Sequence, residues 1–311
     1  MVLQEVDVFK KKELTLNELY LETGSGAFEV SGGFKKEQKT ITVHYHKPKS
    51  FTVDSKILLV VPGAGRNGDS YRDAWVPESE KYGFLVLSLE YSKEDYPFEQ
   101  YHLCGLIDKI EIESAITAIE GTNMIKLQED DFNLGTILKK ENWIFDDFDR
   151  VFDIAVKVTN SNQKYYSIFG HSAGGQILHR FALFGESHKV NHIFAANSGF
   201  FTTADFNTSF PFGIKNTPMT KFNLENAFKK RLIVIAGELD NQDENRGTLL
   251  RSPTVDQQGT HRLARAIFFY ETAKAEADKD MLEFNWQLEV IPEVGHDHKA
   301  IGNAIAHYLK N

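Results

Sequence analysis

Apolar residues along the chain fall into two kinds of pattern. Residues 40 to 46 (TITVHYH) alternate apolar and polar, the period of a strand with one solvated face. Residues 57 to 61 (ILLVV) and 84 to 89 (FLVLSL) are unbroken apolar runs, as expected of parallel strands buried on both faces. The same signal returns at 165 to 169 (YYSIF), 192 to 196 (HIFAA), 232 to 236 (LIVIA) and 286 to 291 (WQLEVI). Between these runs, residues 143 to 158, 174 to 184, 260 to 278 and 298 to 309 carry apolar positions three and four apart, which predicts helices. Alternating strand and helix predicts an α/β fold built on a doubly wound, mostly parallel sheet with flanking helices.

No repeat, low-complexity tract or Pro/Gly/Ser-rich linker divides the chain, so a single domain over residues 1 to 311 is expected. Residues 93 to 142 break the alternation. They hold an apolar stretch (YHLCGLIDKIEIESAITAI) and an acidic turn (EDDFN), and are too long for an ordinary connection. One reading is a lid-like insertion over the sheet's active edge; the other is a peripheral helical decoration without contact to substrate.

Composition narrows the classes. An apolar content of 41% over 311 residues supplies a sizeable core. A formal charge of −9, with basic residues scattered and forming no stripe, argues against nucleic acid as a partner and favours a neutral or cationic substrate. The single cysteine, Cys104, excludes an intrachain disulfide and any multi-cysteine metal site, and reads as a small buried hydrophobe. No segment approaches the roughly 18 apolar residues of a membrane span. The start Met1-Val2-Leu3-Gln4-Glu5 lacks a basic region followed by an apolar run, so the expectation is a soluble chain, secreted or periplasmic only if a leader was removed. Neither compartment nor oligomeric state can be read from the residues.

The chemistry concentrates at Gly170-His171-Ser172-Ala173-Gly174. A serine hydroxyl is a poor nucleophile at neutral pH and needs a sharp turn at which a base can reach its proton and backbone amides can receive an oxyanion. G-x-S-x-G alone arises by chance in about one chain in ten of this length, given average glycine and serine usage. Here an apolar strand run precedes it and a helix-forming segment (GQILHRFALF) follows, the strand-turn-helix context such an elbow requires. An acid beyond a later strand and a histidine after the last strand should follow in that order. Asp240 closes LIVIAGELD, with Glu238 and Asp243 as rivals. His296 lies in Pro292-Glu293-Val294-Gly295-His296-Asp297 before the last helix, with His298 its nearest competitor. Two histidines and an aspartate in one tight loop rarely face a single point, so no metal is assigned, and no cofactor is called for. The acid loop DNQDEN lacks the central glycine and terminal glutamate of a calcium loop. For the oxyanion hole the expected amides are Ala173, after the nucleophile, and Ala64, in Pro62-Gly63-Ala64-Gly65-Arg66 after ILLVV, with Gly65 the alternative. Arg66 and His261, which opens the helix after the acid loop, are the expected substrate-binding side chains.

From about residue 55 to the C-terminus the chain resembles the α/β-hydrolase esterases of the polyhydroxybutyrate depolymerase-like and feruloyl esterase-like kind. The resemblance is carried by GRNGDSYRDAW (65 to 75), FGHSAGGQILHRF (169 to 181), IAGELD (235 to 240), QGTHRLARA (258 to 266) and VGHD (294 to 297). It implies the α/β-hydrolase fold, a Ser172-Asp240-His296 triad and oxyanion donors at Ala64 and Ala173. Two departures stand out. Pro62-Gly63 replaces a His-Gly whose side chain often braces the loop, and the 93 to 142 insertion is longer. The expected activity is cleavage of a small-molecule or polymeric carboxylic ester. Rival readings are a peptidase or amidase, an acyltransferase, or an inactive binding protein of the same fold.

Overall fold

The structure, a computed structural model, describes residues 19–310; the leaderless start read from residues 1 to 5 lies outside them. Chain order gives strands β1 (Gly24–Ser31), β2 (Thr40–Lys47), β3 (Ile57–Val61), helix α1 (Gly68–Tyr82), β4 (Leu85–Tyr91) and α2 (Phe98–Tyr101). Short strands β5 (Ile110–Glu111), β6 (Ile116–Ala118), β7 (Met124–Leu127) and β8 (Asn133–Leu134) follow, then α3 (Phe145–Thr159), β9 (Tyr166–His171) and α4 (Ala173–Phe184). The remainder is β10 (Val190–Ala196), α5 (Lys221–Phe228), β11 (Leu232–Gly237), β12 (Leu249–Arg251), α6 (Pro253–Gln257), α7 (Arg262–Lys279), β13 (Gln287–Ile291) and α8 (His298–Ile305).

Eight strands form the central sheet in the order β1-β2-β4-β3-β9-β10-β11-β13. From β4 to β13 every neighbouring pair is parallel, and β1 and β2 add an antiparallel edge. The unbroken apolar runs do what their composition demands: β3, β9 and β11 are buried at every residue. Successive side chains serve opposite faces. Leu58 and Val60 join Trp75 of α1 and Ile301 and Ile305 of α8, whereas Leu59 and Val61 join a second core that includes residues of α3, α4, α5 and α7. The two-sided core fixes the sheet as doubly wound, the α/β-hydrolase arrangement. At its carboxyl edge it gathers the loops that follow β3, β9, β10, β11 and β13.

The four helices expected from spacing are present, and several elements beyond the expected ones appear, α1, β1 and α5 among them. α1 contains Pro77 and a mixed polar sequence that blurs its period, β1 opens on Gly24-Ser25-Gly26, and α5 is only eight residues long. The 93 to 142 segment holds no helix longer than a single turn: α2 and three 3-10 turns, at Glu113–Ala115, Glu129–Asp131 and Lys140–Asn142. Its first part, through Tyr96, Tyr101, Leu103, Cys104, Leu106 and Ile107, is buried in the main core. Its later part pairs β6 with β7, and β7 in parallel with β12 from beyond the acid loop, over a small core of Ala115, Leu127, Phe212 and Val255. Among the described residues no helix is long and apolar enough to cross a membrane.

Candidate active site

β9 ends at His171 and α4 begins at Ala173, which leaves Ser172 alone at the turn with φ 58° and ψ −115°. L-residues adopt this conformation at a cost of order 1–3 kcal/mol, so the surrounding structure has to impose it. The glycines do so. A Cβ on Gly170 would overlap the carbonyl of Gly174, and one on Gly174 would overlap the carbonyl of Val61 at the end of β3. Their absence lets strand, helix and the neighbouring strand approach to backbone contact. The Ser172 N–H then donates to Ala196 O at 2.9 Å, which ties the elbow to β10.

Beside the serine, the loop after β3 makes a tight turn closed by Arg66 N–H to Gly63 O at 3.0 Å, with Ala64 and Gly65 exposed at its apex. A Cβ on Gly63 would sit 3.5 Å from that of Ser172, so this turn stands against the nucleophile. Ala173 is the first residue of α4, and its N–H has no acceptor within the helix. The turn that carries Ala64 and the start of α4 that carries Ala173 thus both adjoin Ser172.

Arg66, expected to bind substrate, is a brace instead. It is buried, and its guanidinium donates to Ser92 O (3.0 Å), Tyr91 O (3.3 Å) and Tyr96 O while stacking on the Tyr101 ring at 4.4 Å. Desolvation by burial lowers its pKa from the usual value. All three carbonyls are met by Nη1, while Nε is buried without a partner. Tyr101 adds its hydroxyl, donated to Pro62 O at 2.6 Å. These two residues do the bracing that a histidine at position 62 would otherwise provide, and Tyr101 comes from the inserted segment.

The acid and base meet as expected. His296 Nδ1 and Asp240 Oδ2 are 2.7 Å apart, with Asp240 fully buried. The rivals are engaged elsewhere: exposed Glu238 accepts from the Glu293 N–H at 3.0 Å, Asp243 is exposed, and His298 stacks on Tyr71 at 4.1 Å. The His296 ring lies 4.4 Å, centroid to centroid, from that of His171, the residue before Ser172. Because Nδ1 is taken by the carboxylate, Nε2 is the nitrogen left for the nucleophile. A Cβ on Gly247, whose φ is +64°, would come within 2.8 Å of that Nε2, so exposed Gly247 leaves the base uncovered. His261 caps α7, its Nδ1 accepting from the Ala264 N–H at 3.2 Å.

Several residues of the site are not among the candidates expected from the sequence. Arg262 donates to Asp240 Oδ1 at 3.1 Å and to the carbonyls of Gly247 (2.9 Å) and Thr248 (3.0 Å). Glu244 Oε2 accepts from the His296 N–H at 2.7 Å, and the hydrogen bonds from Arg246 hold its carboxyl down at about 2. Asn123, from the inserted segment, donates to Gly247 O at 2.8 Å. His171 is fully buried between Tyr71 and Asn197, and burial, reinforced by His296 and His298, keeps its pKa well below the ordinary value. It therefore stays neutral. Among the described residues no group of three or more His, Cys, Asp or Glu could hold a metal ion.

The chain is 32% identical to a poly(aspartic acid) hydrolase from Sphingomonas sp. KT-1, over 93% of this chain and 99% of that one, with a TM-score of 0.79. A poly(3-hydroxybutyrate) depolymerase from Bordetella parapertussis is 26% identical over 92% and 89% of the two chains, at a TM-score of 0.75. An S-formylglutathione hydrolase from Agrobacterium tumefaciens, 13% identical over 93% and 95% at a TM-score of 0.53, shares the fold. No family profile matches the chain, and no curated protein does. With the elbow serine at the sheet's carboxyl edge and likeness running nearly end to end with a structurally known hydrolase, the chain belongs to the α/β-hydrolase esterase family and is a serine hydrolase.

Proposed function

We propose that the chain hydrolyses carboxylic esters through an acyl-enzyme on Ser172. One observation carries this reading. The serine is held at a strained elbow, and the His296–Asp240 pair beside it leaves Nε2 as the free nitrogen of the base. In the first step His296 Nε2 takes the Ser172 proton as Oγ attacks the ester carbonyl. The Ala64 and Ala173 amides receive the oxyanion, an interaction that grows as charge develops. Asp240, its other oxygen held by Arg262, orients the ring and stabilises the imidazolium. The imidazolium returns the proton to the leaving alcohol, water activated by the same nitrogen attacks the acyl-enzyme, and the acid departs. Ser172→Ala is expected to lower turnover of short p-nitrophenyl esters by about 10⁴-fold or more while circular dichroism stays unchanged. Turnover within tenfold of the parent would overturn the assignment.

A second reading has its own support. The 32% identical relative is named for poly(aspartic acid), an amide polymer. The same triad cleaves amides if the imidazolium protonates an amine leaving group. Charge weighs against a polyanionic chain here. The protein carries −9, Arg66 and Arg262 are buried and engaged, and exposed Arg246 is paired with Glu244 and Asp297. Matched ester and amide substrates, together with oligomers of 3-hydroxybutyrate and of aspartate, separate the two. We assign the later part of the 93 to 142 insertion to the wall of the substrate site, on the strength of Asn123 holding Gly247 beside His296.

A further inference from the structure

The three candidate catalytic residues come from three loops, and one buried side chain touches all three. Asn197 stands directly after β10, fully buried, with φ 47°. Its Oδ1 accepts from the Gly237 N–H at 2.8 Å. Its Nδ2 donates to Gly295 O at 3.1 Å and faces His171 Nε2 at 3.3 Å. Gly237 begins the turn that ends at Asp240, whose N–H donates to Gly237 O at 3.0 Å. Gly295 immediately precedes His296, and His171 immediately precedes Ser172. The backbone around Asn197 extends the tie: its N–H donates to Ile235 O at 2.9 Å, and the preceding carbonyl, Ala196 O, receives the Ser172 N–H.

The amide chemistry matters, because only Asn offers one acceptor and two donors in so small a side chain. Both amide protons are used, one on a carbonyl and one on an imidazole nitrogen. This fixes the tautomer of neutral His171, whose Nε2 must accept and whose Nδ1 carries the proton, 3.2 Å from the Tyr71 hydroxyl. Left-handed backbone is also tolerated by Asn better than by most side chains. Aspartate would keep the bond from Gly237 and turn both donors into repulsions. Leucine would leave three buried polar groups without partners.

We propose that Asn197 is the positioning residue of the site, setting the Ser172, Asp240 and His296 loops at one mutual distance through its single side-chain amide. This rests on the triad reading above. It does not touch substrate, so its loss should act on turnover more than on binding.

The test uses Asn197→Gly, Asn197→Ser and Asn197→Asp in the full chain, with Ser172→Ala as reference. For each, kcat and KM on a p-nitrophenyl ester are measured beside the thermal midpoint and the rate of Ser172 labelling by a fluorophosphonate. Glycine relieves the backbone and makes none of the ties, serine restores a single donor or acceptor, and aspartate keeps only the acceptor. The expected result is a kcat lower by about ten- to a hundredfold with KM within about threefold. Labelling should slow in parallel, and the rank of the variants in kcat should differ from their rank in thermal midpoint. A kcat within twofold of the parent in any folded variant overturns the proposal. So does failure of all three to fold, which would make Asn197 a folding residue. Should Ser172→Ala keep its activity, the triad reading itself fails, an outcome separate from either of these.

Discussion

On the serine side of the site, backbone contact does most of the positioning; on the histidine side, charged and amide side chains do, and Asn197 ties the two. Ser172 is where it is because Gly170 and Gly174 let β9, α4 and β3 close to backbone contact, and the Gly63 turn packs against that elbow. His296 is where it is because Asp240, Arg262, Glu244 and Arg246 form a chain of ion pairs and hydrogen bonds around its loop, with Asn123 reaching in from the insertion. Steric closeness fails all at once when violated. A network can lose one member and re-form around the gap, unless the member lost leaves a buried charge behind.

The largest effect is expected where the network has that weakness. Arg262→Ala leaves fully buried Asp240 with His296 Nδ1 as its remaining side-chain partner, and removing one partner of a buried ion pair costs about 3–5 kcal/mol. Urea unfolding of that variant should show it, and a loss under about 1 kcal/mol would mean the pair is not what holds the acid. On the other side, Gly174→Ala places a methyl on the Val61 and Pro62 carbonyls. Overpacking of this kind costs about 1–3 kcal/mol. Because the carbonyls belong to the β3 exit, kcat should fall along with stability. An active, fully stable Gly174→Ala would break the claim that backbone closeness sets the elbow.

Acid separates the halves further. The folded pKa of His171 lies well below its unfolded value near 6.5. Below that pH the unfolded chain takes up a proton that the folded chain refuses, so stability falls as pH falls, by roughly 1.4 kcal/mol per pH unit for this residue. Buried His179, and His102 at about 3, add to the slope in the same direction. Glu244 is depressed to about 2 from 4.5, so its contribution is intact above pH 4.5 and is lost between there and about 2. The serine side should therefore weaken first. Urea midpoints at pH 7, 6 and 5 should fall steadily in the parent and less steeply in His171→Gln; equal slopes would exclude His171 as a cause. The smallest effect is expected from Asn123→Ala, about 1 kcal/mol for its bonds to the acid loop. Faster amide exchange at residues 244 to 250 would report it.

This asymmetry explains how much of the site could be read from sequence. Ser172, Asp240 and His296, the proposed triad, each follow directly from a strand end and a short turn, so local pattern nominates them. Arg262 meets Asp240 across 22 positions and Asn123 meets Gly247 across 124, and no local period records such a meeting. Arg66 misled for the same reason: an arginine in a glycine-rich loop looks available until Tyr91, Ser92, Tyr96 and Tyr101 are seen around it. In the fold, buried strands such as ILLVV were legible because every residue is apolar. The strands of the insertion, two to four residues each, are too short to show any period.

The parallel ladder of β7 on β12, Met124 to Leu249 through Lys126 to Arg251, has a consequence for anyone redesigning this enzyme. The insertion and the stretch that follows the acid loop are one interchangeable part, cut from two places in the gene. Transplanting residues 108 to 142 alone would leave β12 without a neighbour and Gly247 without one of its two side-chain donors. A graft meant to change what the enzyme accepts has to carry 244 to 258 with it.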